Sequence, residues 1–232
     1  MGIPEHYSRD LPARCLHLIE QLLPTASRVR MKREEHLGPL TTTFLLAMST
    51  PIITLPIERV EGHRRKEAMG LEGYSDDRLL DPNLTRAIDE DLGENPIARS
   101  PFYRHGAWRF ASIEYVLGQN IARELPPELT AALNLDGAVD DAGSLTGVHW
   151  SRCLRNALAH GGIAYLDADG RQSIGRPTEM IAFVSAQYPK GGMRHPPSSL
   201  QVLRITRDDY LDFLRRWVHW LDSSHLSIAM AA

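Results

Sequence analysis

Cysteine is nearly absent from this chain, and neither sign of charge dominates it. Two cysteines, Cys15 and Cys153, are too few for a disulfide framework or a Cys-rich zinc site. Both fall in apolar helical contexts, so they read as small core residues of a reducing compartment. Lys and Arg number 26 against 29 Asp and Glu, a formal net charge of −3. That balance excludes a protein that grips nucleic acid through its overall charge, and leaves such contacts to local patches. No glycine-rich phosphate loop, HExxH or CxxC pair occurs, so no familiar nucleotide-loop or zinc-hydrolase signature is present. Internal repeats and low-complexity tracts are missing too.

What is present is ordinary in bulk. Hydrophobic residues make up 43% and charged residues 24% of 232 positions, as expected for one elaborated globular domain spanning 1–232. The N-terminal residues are polar and carry no apolar signal region, so the expected location is cytoplasmic. Residues 37–57 hold no charge, but Gly38, Pro39, Pro51, Pro56 and several threonines interrupt them. A spanning helix wants about 20 predominantly apolar residues. The stretch reads instead as a buried core helix from about Leu40 to Thr50, closed by Pro51 and Pro56.

Helical spacing predicts a first helix from Asp10, with Pro12 in its first turn and Pro24 at its end. Residues 28–35 read as a solvated charged connector, and 58–81 as a polar surface loop. Leu84, Ile88 and Leu92 predict a short helix opened by Asp81-Pro82 and stopped by Gly93. Phe110, Ile113, Leu117 and Ile121 predict another over about 107–124. Residues 128–135 suggest one more turn. A helix starting near Ser144 runs through Leu145, Val148, Leu154 and Leu158 to Gly161-Gly162. Beyond it the pattern turns to strands. Ile163–Leu166 and Gln172–Ile174 flank an Asp167-Ala168-Asp169-Gly170 turn, and Met180–Ser185 and Leu200–Ile205 follow around a Pro/Gly-rich loop. Thr206 and Asp209 then predict a capped last helix with an apolar stripe of Tyr210, Phe213, Leu214, Trp217 and Leu221. The expected fold is mainly α, a helical bundle with a small antiparallel β excursion over 163–205.

One run carries chemistry: Arg155-Asn156-Ala157-Leu158-Ala159-His160. Arginine keeps its charge at any working pH and offers a planar fork to phosphate oxygens. Histidine titrates near neutrality and can take and return a proton. Asn156 and His160 are four apart and share a helical face, with Arg155 on its flank. The same residue types also suit a plain helix C-terminus, where cations meet unpaired carbonyls. Arg152, one turn earlier, adds a local positive charge for nucleic acid or is an ordinary solvated arginine. His149 and Cys153 do not form a common metal site with His160, so no metal or cofactor is expected.

Leu154-Arg155-Asn156-Ala157-Leu158-Ala159-His160-Gly161 resembles the R-x4-6-H signature of the HEPN superfamily, in its Arg-Asn-x-x-x-His form. The uncharged helix Gly38–Met48 with Pro51 and Pro56-Ile57-Glu58-Arg59 is similar, more loosely, to a plasmid-associated bacterial HEPN subgroup. The resemblance implies an α-helical bundle that dimerises so that two motifs share one cleft. It implies a metal-independent endoribonuclease of a toxin or phage-defence system, with RNA as substrate and an antitoxin or other regulatory protein as partner. Carried over by position, Arg155 and His160 would be catalytic and Asn156 supporting. The rival expectations are a non-catalytic nucleotide- or RNA-binding module, and a structural partner within a toxin–antitoxin pair. The 163–205 segment is not part of a minimal bundle of that family.

Overall fold

A computed structural model describes residues 7–30, 38–59, 82–115, 121, 124–189 and 195–224. Most of the polar stretch 58–81, most of the connector 28–35 and the middle of the 189–199 loop lie outside these residues. The chain is a mixed α/β fold in which helices pack on a four-stranded antiparallel sheet. No described helix is long and apolar enough to cross a membrane.

Helix α1 spans Asp10–Ala26 and carries Pro24 inside its last turn instead of ending there. The proline sits near the helix end, and the last turn simply continues past it. Helix α2, Thr41–Ser49, also fails to stop at its proline. It runs on through a π-helical turn, Thr50–Thr54; Pro51 has no amide N–H to donate back along the helix, and the turn widens around it. Residues 55–59 are again helical. The widened turn leaves the Ile52 carbonyl for the Trp217 indole, which donates to it at 2.9 Å. Helix α3 is Pro82–Asp91, and the Leu92 amide closes it on Ile88.

Within the helix expected over 107–124, residues 108–114 form a strand instead, and 116–120, 122 and 123 lie outside the described residues. β1, Trp108–Glu114, pairs antiparallel with the strand β4, Ser199–Thr206, along its whole length. Phe110 and Ile113, read as one helical stripe, therefore face opposite sides of a sheet. Short apolar runs fit either period, and here a distant strand decided between them. Helices α4, Pro127–Asn134, and α5, Gly137–Ser144, follow. Then come α6, Gly147–His160, β2, Ile163–Leu166, and β3, Met180–Gln187. Helix α7, Arg207–Ser223, closes the described chain, its start capped by the Thr206 hydroxyl accepting from the Asp209 amide at 3.1 Å.

The sheet order is β1-β4-β3-β2. It is not an excursion between α6 and α7, because its edge strand β1 comes from upstream of α6. β2 takes β3 as its partner. Residues 172–174 touch β2 through a Leu166–Gln172 bridge and the Ser173 amide on the Tyr165 carbonyl and form no strand of the sheet. The 167–170 turn is closed by the Asp167 carboxylate, which accepts from the Asp169 and Arg171 amides.

Alternation sends the strands' side chains to two cores. One face presents Trp108, Ile181, Phe183, Leu203 and Ile205 to α1, α2, α3, α6 and α7. All four tryptophans of the chain lie in this core, interlocked with Phe102, Phe213 and Tyr210 at ring separations of 4.8–6.5 Å. The other face presents Ala111, Ala164, Leu166, Ala182, Val184 and Val202 to α4, through Leu129 and Leu133.

Candidate functional site

Helix α6 carries the motif and is clamped at both ends. Its N-cap, Thr146, accepts from the His149 amide at 3.2 Å. Gly147 fits so closely against Asp91 and Leu92 that a Cβ would overlap their backbone. The start is therefore Gly147, three residues later than Ser144, which ends α5. At the other end Gly161 adopts φ +71, the left-handed stop that the Gly-Gly pair predicts. Gly162 then joins the sheet. The Val184 amide donates to its carbonyl at 2.6 Å, and a Cβ on Gly162 would overlap the Val184 carbonyl oxygen.

Trp150, Cys153, Leu154 and Ala157 seat the helix in the aromatic core. Burial pushes the Cys153 thiol up to about 12, so it is no thiolate nucleophile near neutral pH. Both cysteines are free and buried. Ser151 is buried as well, and the other polar residues of α6 stand on the remaining surface.

Arg155 is held by Glu58, Nη1 to Oε1 at 3.1 Å, with the arginine side chain 18% and the glutamate 43% exposed. Its Nη2 also lies 3.5 Å from the Asn156 side-chain oxygen. Asn156 in turn donates through Nδ2 to the Ser185 hydroxyl of β3 at 3.3 Å. His160 is exposed on the last turn, and among the described residues its side chain makes no hydrogen bond or ion pair. Arg152 is exposed as well. The three motif residues thus emerge at one helix end. Two are oriented by neighbours, and the third is open to solvent.

Glu58 and Ser185 were not legible as partners of the motif. Glu58 follows the π-helical turn, and Ser185 reaches Asn156 only because α6 lies across β3. His149 has a further set of contacts. Its Nε2 lies 2.8 Å from the Gln201 side-chain oxygen, and its ring meets Phe110 edge-on at 5.9 Å. Among the described residues no group of three His, Cys, Asp or Glu is placed to hold a metal ion. A shallow cavity of about 380 Å³ opens beside β1, lined by Phe110, Ala111, Ser112, Asp141, Ser144 and Leu145, none of them a motif residue.

No family model, curated protein or solved structure matches this chain.

Electrostatically the motif end is mixed. A phosphate approaching Arg155 meets a guanidinium already facing a carboxylate, and it has to displace or share Glu58. His160 has no such competitor among the described residues. Arg155 can orient a phosphate weakly within one chain, and His160 can take or return a proton.

Proposed function

We propose that the chain is a metal-independent endoribonuclease of HEPN type, working in the cytoplasm as a homodimer in a toxin or phage-defence role. The observation that carries the reading is the exposure of His160 on the last turn of the helix whose Arg155 is held in one orientation by Glu58 and Asn156. RNA supplies the nucleophile itself. Its 2′-oxygen attacks the adjoining phosphorus while one His160 takes the 2′-hydroxyl proton. The bond from phosphorus to the 5′-oxygen breaks, and the second protomer's His160 gives that oxygen a proton. The products are a 2′,3′-cyclic phosphate and a 5′-hydroxyl. Arg155 neutralises charge on the pentacoordinate phosphorus, and Asn156 fixes the geometry. Two-fold symmetry supplies the second imidazole.

Short labelled RNA incubated with purified protein tests this. Fragments ending in a cyclic phosphate should form in EDTA. They should fall by about 10²-fold or more in His160→Ala, the range for a lost general acid or base. Arg155→Ala should fall comparably, and DNA of the same sequence should stay whole. Cleavage that stops with EDTA yet persists in His160→Ala sinks the proposal.

A second reading has its own support. The Arg155–Glu58 and Asn156–Ser185 contacts also serve to lock α6 onto its neighbours, which suits a binding or structural module that cuts nothing. In that case Arg155→Ala lowers thermal stability, while RNA remains intact with every variant and with the parent.

A further inference from the structure

The sheet carries a row of amides that the proposed chemistry leaves unused. Gln201 and Ser185 are register partners on β4 and β3, and α6 crosses above them through His149 and Asn156. The next register pair outward is Gln187 with Ser199. A hydrogen-bond ladder joins the two rows. With its proton on Nε2, His149 donates to the Gln201 oxygen at 2.8 Å. Gln201 donates through Nε2 to the Gln187 oxygen at 2.8 Å. The Ser199 hydroxyl donates to that same oxygen at 3.2 Å.

This ladder has a direction. Both acceptor positions of the Gln187 oxygen are filled from within the protein. Its amide nitrogen has no partner among the described residues, and Gln187 is exposed. Gln201, by contrast, is 7% exposed and fixed from both sides. The ladder therefore ends in two N–H donors that face solvent from a rigid strand. At about 100° per residue, Arg152 lies roughly 60° round α6 from the line of His149 and Asn156, on the side away from buried Trp150. That turns an exposed guanidinium toward the same side of the helix as the Gln187 row.

Two outward amide donors, with a guanidinium turned to the same side by the helical repeat, suit a base edge rich in acceptors joined to a phosphate. Guanine offers N7 and O6, and uracil offers O4. Adenine and cytosine set an amino donor at the equivalent place. Unpaired RNA bases are the ones a protein surface reads in this way. We infer that this shelf binds a guanine or uracil base flanking the scissile phosphate of single-stranded RNA, with Gln187 reading the base edge and Arg152 holding the adjoining phosphate. The inference rests on the ribonuclease reading for its substrate. It adds the base preference and the residues that set it.

Binding to short homopolymers tests the shelf, with His160→Ala as the parent so that the RNA stays whole. Anisotropy titrations should give roughly tenfold preference for uridine over adenosine tracts, the lower end of what one good base contact discriminates. Gln187→Ala should bring the two within about twofold, and Gln201→Leu should do the same by releasing Gln187. Arg152→Ala should weaken every tract equally and lower the salt dependence. Thermal melts of each variant establish that it is folded. No uridine preference in the parent overturns the inference, and so does a preference that survives Gln187→Ala. The two proposals fail separately. A wild-type chain that cuts RNA with no base bias loses only the shelf. One that binds uridine through Gln187 yet cuts nothing loses only the nuclease.

Discussion

The two faces of the sheet come from the same four strands and are built in opposite ways. One is thick and aromatic, with four tryptophans interlocked beneath α6 and α7. The other is thin and aliphatic, with alanines and valines under α4. Polar groups are handled differently as well. On the thick face they gather at the rim, where Ser185 and Gln201 meet Asn156 and His149. On the thin face a guanidinium is buried. Arg204 is 4% exposed and donates to the Leu133 carbonyl at 2.9 Å, while its Nη1 has no partner among the described residues. Arg109 donates to the same carbonyl at 3.3 Å. The thick face has core enough to hold a helix in place and still leave polar groups along its edge. The thin face uses two arginines to tie down the end of one short helix.

Truncating each core measures that contrast most directly. Trp150→Ala should cost about 3–5 kcal/mol, enough to threaten folding of a marginally stable domain. Leu133→Ala on the thin face should cost about 2 kcal/mol, the low end for such a deletion. Urea unfolding of both variants checks the order. Equal losses would erase the distinction between the faces.

The junction of α6 with the sheet should be the next most sensitive point. Gly162→Ala forces a methyl group into the Val184 carbonyl and should lose roughly 1–3 kcal/mol. Gly161→Ala meets open space and has only its positive φ to oppose it, so about 1 kcal/mol is expected. The two neighbours therefore separate steric fit from backbone strain in one calorimetric comparison.

Alkaline titration should give effects of opposite sign on the two faces, so that their sum is the smallest change expected. Burial raises the Cys153 thiol from 9.0 to about 12. Between those values the folded chain keeps a proton that the unfolded chain has released, so stability falls as pH rises. Burial, with Arg109 adding to it, lowers Arg204 from 12.5 to about 10. Above pH 10 the unfolded chain binds more protons at that site, so its contribution to stability rises with pH. Cys153→Ala should flatten part of the alkaline loss, and Arg204→Met should steepen what remains. Matching slopes in both variants and the parent would show that neither group is linked to folding.

Local signals were readable because their physics is local. The Thr206 cap needs only the amide three residues on. The Gly161 stop needs only a left-handed backbone. The wide apolar stripe of α7 needs only its own period, and all of Tyr210, Phe213, Leu214, Trp217 and Leu221 are buried. β1 was misread because its partner, β4, lies far along the chain, and apolar spacing over seven residues does not distinguish a strand from two helical turns. In the site, Arg155, Asn156 and His160 could be named from their order alone. Glu58, Ser185 and the Gln201–Gln187 ladder could not, since each depends on which element α6 lies against.

Sequence by itself determined where α1 and α7 begin and where α6 ends, and which side chains on α6 carry charge or a transferable proton. Those properties follow from residue type and the repeat of a single helix. Only the tertiary structure decided that α6 rests on a sheet, that Arg155 faces a carboxylate while His160 faces water, and that a line of amides runs out from beneath the helix. Pairing between strands and contact between helix and strand are bought with chain closure over long distances, and no local pattern encodes which distant segment will supply the partner.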